Sequence, residues 1–597
     1  MNNHPSHNSL SNLFKSLWAH ISKRRKVQFS FLLILTLIAS VAEVVSLGAV
    51  LPFIGILTQP DQVFESPWLA DFITLFGINS GEELILPLTI TFGLAAIVAG
   101  ILRLLLLWVS IRLSNATGAD LSIEVYERTL YQPFRVHLER SSSEIISGIT
   151  QKVSAAAGVL LAVTAIVTSS FLFGSIIITM LIVDPLVTIV AGCSFGFAYA
   201  CIAFFTSKKF ELNSISIASQ QTQVVKALQE GLGAIRDVIL DATQRIYTNI
   251  YKKAILLLMK ANGENRFMNQ APRYAMESLG MVLIAMFVLA LTNRPGGVTG
   301  ALPLLGMLAL GAQRLLPLMQ QIYGNWSVVA GSHAALNDVV DLLDQPFPQY
   351  YYEDESPPLE IKDSFSVKNL SFRYSASTPW VLNNISFEVK KGSRIGLIGS
   401  TGSGKSTTLD LLMGLLEPTH GELIVDNMKI DDSSIRSWRQ TVAHVPQSIF
   451  LADTSIAENI AFGVLPEKIN MLQVKEAAKK AMIDDFIESR PSGYAEVVGE
   501  RGVRLSGGQR QRIGIARALY KKANIIVFDE ATSALDNETE KVVMEAIRNL
   551  GKELTLIIVA HRLSTLENCS HIIELDQGKI LRIGSYDEVI NKTQSSI

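Results

Sequence analysis

Cysteine is scarce, with three residues in 597. Cys193, Cys201 and Cys569 make no metal-binding or redox spacing, and they supply no disulfide framework. Charge is thin as well: 18% of residues are Asp, Glu, Lys or Arg, and the net charge is −2. Soluble domains carry about 25% charged residues. Nothing global points to nucleic acid, and a mean hydropathy of +0.31 is too apolar for an ordinary soluble protein. From Leu51 to Glu83 there is no Lys or Arg at all. A chain of this length predicts two or more domains.

What is present is long apolar runs. Crossing a bilayer takes about 20 apolar residues as a helix. Six stretches qualify, near 27–50, 84–111, 156–183, 186–206, 273–292 and 301–323. Cations decide their orientation. The segment after the first stretch has only acids, such as Asp61, Asp71 and Glu82, and is expected outside. By contrast, 112–153 and 207–272 are rich in Lys and Arg, and are expected on the cytoplasmic side. Six crossings then leave both termini of this integral membrane protein cytoplasmic, and a bacterial inner (plasma) membrane is the expected location.

Residues 1–26 carry Leu10, Leu13, Leu17 and Ile21 at helical spacing, ahead of Lys23, Arg24, Arg25 and Lys26. This predicts an amphipathic helix lying in the membrane interface, with a basic cytoplasmic anchor. The expected organisation is this helix, a six-helix membrane domain over 27–340, a Pro- and Tyr-containing linker over 341–362, and a cytoplasmic α/β domain over 363–597.

Polar groups inside apolar spans are costly and therefore informative. They are Glu43, Arg103, Glu277 and Arg314. Two readings stand: a polar cavity facing anionic cargo, or ion pairs between helices. Glu43 lies roughly 24 Å into its helix at 1.5 Å per residue, whereas Arg103 falls near the cytoplasmic end of the next span. A direct pair between them is not expected. The external segment offers Ser66 and Pro67 as a helix start, with Trp68 and Phe72 on one apolar face. That face suits a lipid tail, or a plug against the helix tops.

The last third carries chemistry. Gly399, Ser400, Thr401, Gly402, Ser403, Gly404, Lys405 and Ser406 form a phosphate-cradling loop after the apolar strand Ile395–Ile398. Its glycines let backbone N–H groups face phosphate, Lys405 can neutralise the β/γ-phosphates, and Ser406 can bind Mg²⁺; Thr407 follows in the helix. About a hundred residues on come Leu505, Ser506, Gly507, Gly508 and Gln509, and then the strand Ile525–Phe528 running into Asp529 and Glu530.

Together these resemble the ATP-binding-cassette (ABC) family, and a cassette behind six spans resembles an exporter half-transporter. The resemblance implies ATP and Mg²⁺, and a composite site shared with a second copy of the chain. It assigns Tyr374 to stacking on adenine, Gln447 to sensing metal and γ-phosphate, Asp529 to the metal, Glu530 to the general base and His561 to the γ-phosphate. Ser533–Asp536 matches the loop at the cassette interface. Gly499–Gly502 matches an exporter-specific loop, and Glu230–Asp237 the second coupling turn, although a glycine break between helices reads the same way. A soluble ABC ATPase acting on DNA or ribosomes is excluded by the six spans.

Local patterns around Glu43–Gly48, Pro272–Glu277 and Arg314–Pro317 are most similar to the lipid-linked oligosaccharide flippase branch, which also resembles exporters of heterocyst envelope polysaccharide. That resemblance implies Arg103, Arg273 and Arg314 on a pyrophosphate, and Trp68 and Phe72 on a polyprenyl tail. The runner-up is a multidrug or hydrophobic-lipid exporter with the same engine.

Overall fold

The computed structural model describes residues 9–49, 53, 82–183, 185–292, 302–352, 357–530, 537–551, 553–560 and 563–589. It divides into two units. The first is Met1–Gln132 with Arg140–Pro346; the second is Pro133–Glu139 with Phe347–Ile597.

The first unit is helical: α1 (Leu10–His20), α2 (Lys23–Gly48), α3 (Ile85–Leu130), then, beyond α4 (Phe134–Glu139), α5 (Val153–Val183), α6 (Pro185–Gly233), α7 (Gln244–Thr292), α8 (Leu302–Gly331) and α9 (His333–Leu343). Six long helices run through the six apolar stretches. Among the described residues, α2, α3, α5 and α6 are long and apolar enough to cross a membrane. The 46 residues of α3 and 49 of α6 and α7 make rods of roughly 70 Å. That is more than twice the hydrocarbon thickness of about 30 Å. The same helices therefore continue past the membrane, into the cation-rich segments. Between α6 and α7 the chain reverses through a short helix, Ile235–Leu240, which overlaps the Glu230–Asp237 turn.

Two expectations are corrected. The apolar face of α1 does not lie free for lipid: Leu13, Leu17 and Ile21 are buried with Val125 of α3, Val159 of α5 and Val339 of α9. An amphipathic stripe looks the same in sequence whether it meets lipid or protein. Glu43 and Arg103, not expected to meet, are an ion pair, with Glu43 fully buried. The reason is register. Arg25 binds Asp120 through Nε at 2.7 Å, and α2 packs on α3. Eighteen residues separate Arg25 from Glu43, and seventeen separate Asp120 from Arg103. At equal rise the second pair arrives at the same height. Reading depth from where apolarity stops, near 111, placed Arg103 too close to the cytoplasmic side.

The second unit holds two sheets. A four-stranded sheet, ordered β2-β1-β4-β5, comprises β1 (Ser364–Phe372), β2 (Leu382–Lys390), β4 (His420–Val425) and β5 (Met428–Lys429). A six-stranded sheet is ordered β10-β9-β3-β8-β7-β6, with β3 (Arg394–Gly399), β6 (Val442–Val445), β7 (Ile525–Asp529), β8 (Thr555–Val559), β9 (His571–Asp576) and β10 (Lys579–Gly584). Its pairings are parallel except β9 with β10. The parallel strands are buried on both faces, which is why they read as unbroken apolar runs. One core cluster, which contains Leu397 and Trp438, also takes Phe134 of α4 against it.

Gly118 of α3 sits where any Cβ would lie 2.5 Å from the Cβ of Ala157 on α5, whereas Gly100 of the same helix has open space. Gly118→Val should lower the thermal midpoint of the purified protein by an amount equivalent to about 1–3 kcal/mol. Gly100→Val should leave it near wild type; equal effects of the two would show that α3 and α5 do not approach so closely.

Candidate functional site

The parallel register gathers the predicted residues at one edge. Val445 pairs with Phe528, and Asp529 with Val559. The segments leaving β3, β6, β7 and β8 therefore emerge side by side at the carboxyl ends of the strands, where open α/β sheets bind ligands.

The loop after β3 is built for close approach. Gly399 (φ 147°), Gly402 (φ 82°) and Gly404 (φ 100°) hold conformations that side chains resist. A Cβ on Gly399 would fall 2.1 Å from the Leu575 carbonyl oxygen and 2.6 Å from Ser403 Oγ. Gly404 caps the next helix, α10 (Lys405–Leu412), and no side chain occupies the cap. The first-turn N–H groups of α10 thus keep their donor capacity for an anion. Ser403 Oγ is buried without a hydrogen-bond partner. Lys405 Nζ donates to the loop's own Gly399 O (2.8 Å) and Ser400 O (2.9 Å). An orphaned buried hydroxyl, uncapped amides and an ammonium held by carbonyls fit a polyphosphate.

The residues expected around a metal fit one too. Asp529 ends β7; its carboxyl is pushed up by burial and by Glu530, with Lys405 drawing it back. Behind the loop, Asp410 of α10 is pushed up to about 6 by burial and by Asp529. A crowded pair of carboxyls beside Ser406 is a setting that a divalent cation relieves. Gln447 Nε2 donates to Glu530 Oε2 at 3.0 Å. Glu530 holds a left-handed backbone (φ 49°), and its N–H donates to Val559 O at 3.0 Å. Tyr374 stands edge-on to Phe372, with centroids 5.0 Å apart, and its hydroxyl lies 3.4 Å from Thr407 Oγ1. This leaves the ring partly exposed beside the loop.

Ser506, Gly507, Gly508 and Gln509 open α11 (Gly507–Tyr520). Here the helix start is capped from within: Ser506 Oγ accepts from Gln509 N (3.2 Å), and Gln509 Oε1 accepts from Ser506 N (2.8 Å). Because the serine oxygen accepts in this capping box, its own O–H remains able to donate outward. Gly499, Arg501 and Gly502, upstream, all have positive φ, so this loop is a chain of tight turns.

Among the described residues, two membrane arginines are each tied to an acid. Arg103 pairs with Glu43, and Arg273 Nε donates to Glu277 Oε1 at 2.8 Å. His561, Ser533–Asp536, Trp68, Phe72 and the side chain of Arg314 lie outside the described residues. Sequence reasoning missed α4, which falls with the second unit. Its signal was Pro133, a helix breaker followed by the apolar Phe134 in an otherwise polar stretch.

Comparisons with known proteins agree with this geometry. Residues 29–293 match the ABC transporter transmembrane region, and 382–533 match the ABC transporter domain. The ATP-dependent lipid A-core flippase of Alkalilimnicola ehrlichii is 31% identical over 79% of this chain and 80% of its own length. The chain belongs to the ABC transporter family. Family membership makes it an ATPase coupled to transport, with membrane and cassette regions on one chain. Another relative, Heavy metal tolerance factor 1 of Caenorhabditis elegans, is 31% identical over 81% of this chain; the match spans 60% of that longer protein. In fold, the chain is similar to a bacterial Atm1-family ABC exporter solved with ATP bound, with a TM-score of 0.76, 23% identity, and 95% and 96% of the two chains covered.

Two outcomes are expected. Gly399→Ala should weaken binding of a fluorescent ATP analogue at least tenfold, since its Cβ meets a main-chain carbonyl that cannot yield; near-wild-type affinity would contradict the tight loop. The raised Asp410 carboxyl also has a pH signature. Its folded value lies above the ordinary carboxylate value of about 3.9, so the folded state binds more protons between the two, and stability falls as pH rises through that window. The thermal advantage of nucleotide-free Asp410→Asn over wild type should therefore grow from pH 4 to about 6 and level off above; a flat difference would contradict it.

Proposed function

We propose that two copies of this chain form an ATP-driven exporter of the bacterial inner membrane, with cassettes and termini cytoplasmic, that moves a lipid-linked oligosaccharide, polysaccharide precursor or glycolipid across the bilayer. The observation that carries the ATP-driven part is the loop after β3, with its uncapped α10 amides, Lys405, and the Asp529–Glu530 end of β7 beside it. The cargo class rests on likeness along most of both chains to a lipid A-core flippase.

In this reading Tyr374 stacks on adenine, while Gly399–Ser406 and Thr407 hold the phosphates. Lys405 exchanges its loop carbonyls for phosphate oxygens. Ser406, Gln447 and Asp529 would hold Mg²⁺, which would supply charge neutralisation at the phosphates. Gln447 orients Glu530 by a hydrogen bond, and Glu530 accepts a proton from the attacking water. His561 contacts the γ-phosphate. Ser506, Gly507, Gly508 and Gln509 close the site on the second copy, with the serine O–H donating to phosphate. ATP binds the closed pair of cassettes better than the open one, so binding shifts the membrane helices and hydrolysis resets them.

Arg103, Arg273 and Arg314 take the anionic head group, and Trp68 and Phe72 the tail. One observation favours a second reading, a multidrug or hydrophobic-lipid exporter: the two described arginines each already have a glutamate as counter-ion. An anionic cargo must displace those acids, whereas an uncharged one leaves them alone.

The test is ATP-driven flipping of a labelled polyprenyl-pyrophosphate oligosaccharide in proteoliposomes. Wild type should flip it, Glu530→Gln should bind ATP yet lose flipping by 100-fold or more, and Arg273→Ala should lose most of it. Hydrolysis without flipping of this cargo, together with movement of a hydrophobic dye, would instead establish the second reading.

A further inference from the structure

Helix α9 is badly built in isolation. Asp338, Asp341 and Asp344 follow one another at three-residue spacing toward its carboxyl end, and its last turn has no base. Like charges at that spacing repel, and the helix dipole adds negative potential at that end. The compensation comes from other elements. Lys152, almost fully buried, contacts Asp338 through Nζ at 2.6 Å. Arg140 acts on Asp341, whose carboxyl is nonetheless pushed up by burial and by Asp338 and Asp344. His20, the last residue of α1, places Nε2 2.7 Å from Asp344 Oδ1. A carboxylate only accepts, so this nitrogen carries the proton and donates. The other ring nitrogen of His20 faces Glu124 of α3 at 3.6 Å. Arg128, one turn on, binds Glu124 and donates to the Gln345 carbonyl.

We propose that α1 is a strap across the exit of the chain from the membrane unit, with His20 as the positioning residue that pins the end of α9 to α3. Asp344 precedes Pro346, the last residue of the first unit, by two positions. The chain crosses between the units three times, after Gln132, after Glu139 and after Pro346, and a displacement passed along the last crossing runs through this pinned residue. A rigid end transmits it, and a frayed one absorbs it. The strap is held from beneath by Leu13 and Leu17 in the shared apolar cluster, so His20 is not left to hold it alone. The inference rests on the reading that nucleotide binding moves the membrane helices, and it adds one element through which the movement passes.

The test is hydrogen exchange on the purified full-length protein in nanodiscs, with and without a non-hydrolysable ATP analogue and Mg²⁺. In His20→Ala, exchange across 336–345 without nucleotide should be at least threefold faster than in wild type. The nucleotide-induced change in exchange along α3 and α5 should fall below half its wild-type size, while analogue affinity stays within twofold. His20→Arg, which keeps donors for both carboxylates, should restore both. If exchange at 336–345 rises but the nucleotide response is intact, the strap is structural only and the proposal is overturned. An unchanged His20→Ala overturns it as well. Failure of wild type to bind the analogue would instead strike the ATPase reading itself, and the strap with it.

Discussion

The second unit depends on one constraint: a loop of backbone amides and an ammonium must reach phosphate at close range without a side chain in the way. Everything around the loop serves that approach. The Gly399 Cα lies against the Leu575 carbonyl, so β9 must sit beside β3. The parallel order β9-β3-β8-β7-β6 then sets the ends of β7 and β6 next to the loop. Lys405 Nζ, donating to the Gly399 and Ser400 carbonyls, is held by the loop itself and keeps the positive charge there. The same logic explains the raised carboxyls of Asp410 and Asp529: acids are gathered where a cation is expected, at a cost to the protein alone.

The first unit answers a different constraint. Helices that are more than twice the bilayer thickness must be registered over their whole length, and polar ties do this at defined heights. Arg25 with Asp120 and Arg103 with Glu43 align α2 against α3. Asn213 with Asn265, and Asn269 with Ser327, tie α6, α7 and α8 further along. A polar group lost from such a seam leaves its partner buried and unsatisfied, which costs more than the bond itself contributes. Arg103 thus has structural work before any cargo arrives. An anionic cargo has to compete with an acid already in place.

Local chemistry was legible in the sequence because it depends on contiguous residues. The loop Gly399–Ser406, the start of α11 at Ser506 and the β7 end at Asp529 and Glu530 are each set by a few neighbours. The apolar runs gave the long helices for the same reason. What was not legible is pairing across helices. Nothing local tells α1 that its apolar face meets α9 rather than lipid, and nothing near Arg103 tells that Glu43 is level with it. Register between two helices is set along the whole interface, including contacts far from the residue in question such as Arg25 with Asp120. Helix α4 escaped notice because six residues after a proline carry too little periodicity to be read.

The central claim is that a complete ATP site needs two chains, one giving the loop after β3 and the other the start of α11. The direct measurement is ATP hydrolysis by mixed dimers of Lys405→Ala and Ser506→Arg chains, each inactive as a homodimer. One site in the mixed dimer then has an intact loop and an intact helix start. The account predicts clear recovery of hydrolysis on co-expression, toward half the wild-type rate. No recovery in a verified mixed dimer would contradict it.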